Sequence, residues 1–228
     1  MRKIITAKVK RNYGRDRLIR LLQYGCRASS YYAENTHCTK QVEILKSLEF
    51  TFSSFRRLLR FGRCLDSLYQ ALEMTKYSEL VVRITLTMAK LTNAMYLLAD
   101  HLIWIGRMGI MQVNLTKWNR AANRYWLVSI IMNLARDTYE IVKIFEQERV
   151  CSRMQSCNTL KWNYIPFCLK LHKTVVLDTI KNGCDLFIPL TALGHVKCTS
   201  GTVGIFGIIS SLIGLYTIID PYSKICPS

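Results

Sequence analysis

Acidic residues are scarce in this 228-residue chain, where 15 Asp and Glu stand against 32 Lys and Arg for a formal net charge of +17. Glycine and proline are few as well, at 11 and 4, which excludes collagen-like and low-complexity architectures. The prolines fall at 166, 189, 221 and 227, so none interrupts the first 165 residues. Nine cysteines (26, 38, 64, 151, 157, 168, 184, 198 and 226) form no Cys-x-x-Cys pair, and His37, His101, His172 and His195 have no metal-type spacing. Zinc sites and thioredoxin-like redox motifs therefore lack support. Neither a phosphate-loop pattern nor a Gly-x-Ser-x-Gly elbow occurs, and the GTVGIFG run sits inside an apolar stretch. Asp137, Glu140, Glu146 and Glu148 read as a solvated helix face. No catalytic constellation, cofactor site or metal site is expected.

No secretory signal is expected, because MRKIITAKVKRNYGRDR has no run of about 7–15 apolar residues. Reduced thiols serving as small hydrophobes are the expectation, with the Asn114-Leu115-Thr116 sequon unused.

What is present is apolar character: 50% of residues are hydrophobic, too many for a disordered chain. Strong positive charge on a hydrophobic chain implies an anionic partner, either a membrane surface or nucleic acid. Aromatic-basic sheet signatures are absent, which argues against nucleic acid. The charge is uneven. Residues 1–63 hold 15 basic and 4 acidic side chains, so eleven of the seventeen net charges lie in the first quarter.

Helical periodicity dominates. Leu18, Leu21, Leu22, Gly25, Ser29 and Tyr32 share one side of a helix, opposite Arg20 and Arg27. Further helices are predicted over 39–59, within 66–106, and over 117–147 with Thr116 as cap. Residues 151–165 read as a linker, 167–184 as helical, and Asp185–Leu190 as an apolar break at Pro189. No hairpin signal or fixed repeat appears. The expected fold is an all-α, membrane-associated bundle. Its parts would be a basic amphipathic region (1–150), the linker (151–165) and a C-terminal region (166–228).

Two segments point to a membrane. Residues 201–219, GTVGIFGIISSLIGLYTII, contain no charge and reach roughly 28 Å as a helix, about the hydrocarbon thickness. This predicts a transmembrane helix. Ser200, Gly204, Gly207, Ser211 and Gly214 fall within about 80° of arc, a small-residue stripe for close helix approach. Either a second copy or another helix of the same chain could occupy it. Leu80–Gly106 is apolar too, but Arg83, Lys90 and Asp100 leave both a span and a bundle helix open.

The second segment, Phe50–Leu72, is FTFSSFRRLLRFGRCLDSLYQAL, in which Asp66 is the only acid. On a helical wheel Leu58, Phe61, Leu65, Leu68, Tyr69 and Leu72 lie within about 100°, widened by Phe55 and Leu59. Arg56, Arg57, Arg60 and Arg63 gather on the other side. Such a helix is expected to lie flat at anionic phospholipid headgroups, each arginine contributing about 1 kcal/mol.

Several stretches together resemble the peroxisomal membrane protein 11 (peroxin-11) family, nearer its alpha and beta types. They are RDRLIRLLQYGCR (15–27), FRRLLRFGRCLDSLYQAL (55–72), NAMYLLADHLIWIGRMGI (93–110), RYWLVSIIMNLARDTYEI (124–141), NGCDLFIPLTALG (182–194) and GTVGIFGIISSLIGLY (201–216). The Gly-rich insert that some relatives carry between their halves is absent. The resemblance implies a non-enzymatic protein of the peroxisomal membrane, both ends cytosolic, that promotes elongation, proliferation and fission. It also implies homo-oligomers, and partners in a dynamin-related fission GTPase and its membrane adaptors. The remodelling helix of the family matches Phe55–Leu72. A channel for small metabolites, or an adaptor that only recruits the fission machinery, are the other readings this leaves open.

Overall fold

The computed structural model describes the backbone of residues 2–34, 39–154 and 173–219, and side chains of residues 12–34, 39–146 and 173–219. The described residues form seven α-helices and no strand: α1 (Arg2–Glu34), α2 (Thr39–Leu59), α3 (Arg63–Met74), α4 (Leu80–Arg107), α5 (Leu115–Met154), α6 (Lys173–Leu193) and α7 (Ser200–Ile219). The chain is all-α.

Local chemistry sets several helix ends differently from the expectation. Residues 50–72 are not one helix, because α2 stops at Leu59 and α3 begins at Arg63. Between them Gly62 takes φ 81°, a left-handed conformation that glycine adopts without a Cβ clash. The α5 cap is Asn114, whose Oδ1 accepts the Lys117 backbone N–H at 3.1 Å, two residues before the expected Thr116. Asp185–Leu190 is no break: α6 runs through it with Pro189 fully buried, so interior packing offsets the one N–H that proline lacks. The linker expected from 151 begins no earlier than 155, since α5 continues to Met154, and its remainder lies outside the described residues.

The helices pack as a ring. α1 lies between α2 and α7, α4 between α3 and α5, and α6 between α5 and α7, while α2 touches α4 lightly to close the circuit. The α1–α7 contact is a close approach built on glycine. Gly201 faces Tyr31, Gly204 faces Ala28, Gly207 faces Tyr24 and Gly214 faces Arg17, an antiparallel register in steps of three to seven residues. A Cβ at Gly207 would sit 2.3 Å from the Tyr24 ring, so only glycine permits this spacing.

Burial is partly inverted relative to a water-soluble bundle. Asp16, Arg20, Arg56, Arg60, Asp100 and Asp137 are buried, whereas Leu18, Leu22, Ile84, Leu91, Leu98 and Leu212 are exposed. The side of α1 that reads as apolar faces outward, and Arg20 opposite it faces in. Water would favour the reverse.

Candidate functional site

The candidate site is formed by α2 and α3, consecutive helices joined at the Gly62 turn, whose two faces have opposite chemistry. Its outer face carries Phe55, Leu58, Phe61, Leu65, Leu68 and Leu72, the least exposed of them at 38% and the most at 68%. Leu59, expected to widen this face, is half-buried instead. Phe61 occupies the turn at Gly62 and leans on the His101 ring, 4.9 Å between centroids.

The inner face carries the arginines, and here the expectation of a headgroup-facing basic surface is corrected. Arg56 and Arg60 are buried, and Arg57 and Arg63 are largely covered. Asp16 of α1 accepts from Arg56 Nε and Arg60 Nε at 3.3 Å each and from Arg63 Nη1 at 3.2 Å. Asp100 of α4 accepts from Arg57 Nε at 2.7 Å and Arg60 Nη1 at 3.1 Å. Arg56 Nη1 also donates to Gln23 at 2.6 Å and Arg60 Nη1 to the Tyr96 hydroxyl at 2.7 Å. The His101 ring is satisfied by the Arg60 carbonyl at 3.1 Å.

The cause is electrostatic. A guanidinium taken out of water must find carboxylates, and Asp16 and Asp100 supply them from two different helices. Burial by itself would push the Asp16 carboxyl up, yet Arg60, Arg56 and Arg63 hold it well below the usual carboxylate range. Arginine suits this role because one planar fork can serve two acceptors at once.

Further polar pairs follow the same rule. Arg20 pairs with Asp185, joining α1 to α6. Asp137, expected on a solvated face, is fully buried between Arg136 and Asn182, whose Nδ2 donates at 2.8 Å. Glu146 is exposed as expected, Glu140 is half-buried at 3.9 Å from Arg136, and Glu148 lies outside the described side chains.

Sequence reasoning missed Asp16 and Asp100 as partners, although both carry a signal. Asp16 is the only acid before Glu34, and Asp100 interrupts an apolar run. A lone acid in such surroundings calls for a cation.

The small-residue stripe is likewise reassigned. Gly204, Gly207 and Gly214 are covered by α1 of the same chain, and Ser211 is buried with its hydroxyl donating to the Gly207 carbonyl at 2.6 Å. Of the two occupants left open by the sequence, the intrachain one is present. The opposite side of α7, with Ile205, Ile209, Leu212 and Ile219, stays exposed. α7 is the one helix among the described residues long and apolar enough to cross a membrane.

Comparison with known proteins identifies the family. Residues 3–219 match the family model for Peroxisomal biogenesis factor 11 (PEX11). The chain belongs to the PEX11 family. Relatives include the human and Sumatran orangutan (Pongo abelii) proteins named Peroxisomal membrane protein 11B, each 32% identical over 93% of this chain and 95% of the relative. The mouse Peroxisomal membrane protein 11A is also 32% identical, over 93% of this chain and 94% of its own length. No solved structure matches. The PEX11 resemblance read from the sequence is thereby established, and with it membership in a family of peroxisomal membrane proteins and biogenesis factors.

Proposed function

We propose that this PEX11-family chain resides in the peroxisomal membrane and curves it. α7 would anchor the protein, and the outer face of α2 and α3 would wedge into one leaflet. The observation that carries the reading is the row of exposed Phe55, Leu58, Phe61, Leu65, Leu68 and Leu72. Fully burying a large apolar side chain is worth about 1.5–3 kcal/mol, so six half-exposed ones offer on the order of 5–9 kcal/mol on insertion. The paired arginines contribute little further attraction, because Asp16 and Asp100 already neutralise much of their charge. Apolar insertion, with the charge held inside, is therefore the principal driving force.

In this reading the wedge promotes peroxisome elongation and proliferation, with fission carried out by a recruited dynamin-related GTPase and its membrane adaptors. Both chain ends face the cytosol. Homo-oligomers would use a surface other than the α7 stripe, which α1 occupies.

Reconstitution of the full chain into vesicles containing anionic phospholipid separates the readings. Electron microscopy should show tubules, and a Leu58→Ser, Leu65→Ser, Leu68→Ser variant should leave vesicles round while keeping its helical circular dichroism. Conduction without deformation would favour a channel, and neither effect without added partners would favour an adaptor. Equal tubulation by the triple variant would overturn the wedge.

A further inference from the structure

Within the ring lies a cavity of about 470 Å³, large enough for a small ligand and lined from α1, α2, α4, α5 and α6. Six cationic side chains and two carboxylates border it, so its lining is strongly positive. Most of that charge is already engaged. Arg27 Nε donates to Glu49 at 2.7 Å, and Arg56 and Arg60 are held by the Asp16–Asp100 network. Two guanidinium groups keep donors in reserve. Arg57 spends Nε on Asp100, but its Nη1 is buried with no hydrogen-bond partner among the described residues. Among the described residues Arg107 reaches no carboxylate within ion-pair distance; it makes one long contact, 3.4 Å to the Ser54 hydroxyl, and lies 4.8 Å from the centre of the Phe50 ring.

We propose that this cavity binds a phosphate group, carried by a small water-soluble or amphiphilic molecule, between Arg57 and Arg107. A buried donor without an acceptor and a cation without a counter-ion are both costly, and one multivalent anion relieves both. Two arginine forks suit a tetrahedral dianion with oxygens to share better than a carboxylate, which a single fork would satisfy. Burial pushes the Arg107 guanidinium down from its ordinary pKa and the neighbouring Arg57 adds to this, against a smaller upward pull from Asp100. Exposed Phe50 at the edge and buried Ile103, Ala122 and Ile188 deeper in add apolar surface for the body of an amphiphile. The inference does not depend on the membrane-curving reading.

Calorimetric titration of the full chain in a maltoside detergent tests it with three probes: inorganic phosphate, dioctanoyl phosphatidic acid and dioctanoylglycerol. A phosphate-bearing probe should bind saturably and dioctanoylglycerol should not. Arg107→Gln should weaken that binding about tenfold or more with an unchanged melting temperature, whereas Arg124→Gln, exposed on α5, should not alter it. Should Arg107→Gln prove unstable, Arg107→Lys keeps the charge without the fork and should still weaken binding. Phosphatidic acid binding alone would identify a lipid headgroup as the source, and equal binding of inorganic phosphate would identify a free phosphate. Absence of binding by either phosphate probe would overturn the proposal. So would dioctanoylglycerol binding as tightly as phosphatidic acid, or wild-type affinity in a folded Arg107 variant.

Discussion

Asp16 shows how much can rest on one carboxylate. Three guanidinium groups converge on it from α2, the turn and α3, all within 3.3 Å. Replacing it by Asn keeps the shape but strands buried cations. Removing one partner of a buried ion pair costs on the order of 3–5 kcal/mol. Asp16→Asn should therefore lower the thermal midpoint sharply in detergent, while Asp66→Asn, exposed on α3, should leave it nearly unchanged. Similar midpoints for the two variants would mean the arginines are solvated after all. The acid itself was visible in the sequence as an isolated charge. Its three partners were not, because they lie 40 to 47 positions away and meet it only through the packing of α1 on α2.

Two junctions matter at the level of the helices. Gly62 turns α2 into α3 with φ 81° and nothing crowding its Cβ position, so the penalty for a side chain there is conformational. Gly62→Ala should cost about 1–2 kcal/mol, and Gly62→Asn less, since Asn tolerates the left-handed region. Chemical denaturation in detergent reads this directly, and a stable Ala variant would indicate that α2 and α3 can join into one straight helix. The second junction is α1 against α7. Gly207→Leu should destabilise the fold by about 1–3 kcal/mol through overpacking against Tyr24, while Ile209→Leu on the exposed side is neutral. Energy transfer between labelled copies should be the same for both variants. A loss of transfer confined to Gly207→Leu, with the fold intact, would return the stripe to self-association.

Across the described residues, many large apolar side chains face outward while the ion pairs of Asp16, Asp100, Asp137 and Asp185 lie within. Alkaline carbonate treatment of membranes should leave the protein in the pellet, because α7 is long, uncharged and apolar on its outer side. Complete release into the supernatant would mean that residues 200–219 serve a soluble core. The same inversion predicts that charge-to-Ala changes at Arg56 or Arg60 act on stability, whereas Leu-to-Ser changes at 58, 65 or 68 act on lipid contact.

The sequence by itself determined the helical class, the α7 segment, the two-faced character of residues 50–72 and the family, because each is written in local periodicity, hydrophobic length or motif order. The family match over residues 3–219 confirms the last of these. Which face of the amphipathic segment points outward was decided only by tertiary structure. A helical wheel ranks faces by polarity and assigns the basic one to the surface, but it cannot see Asp16 and Asp100 waiting on other helices. The stripe on α7 follows the same logic: its geometry is local, while its occupant, α1, is set by packing across more than 170 residues. Charge and close contact are satisfied between elements, and no local pattern specifies the partner.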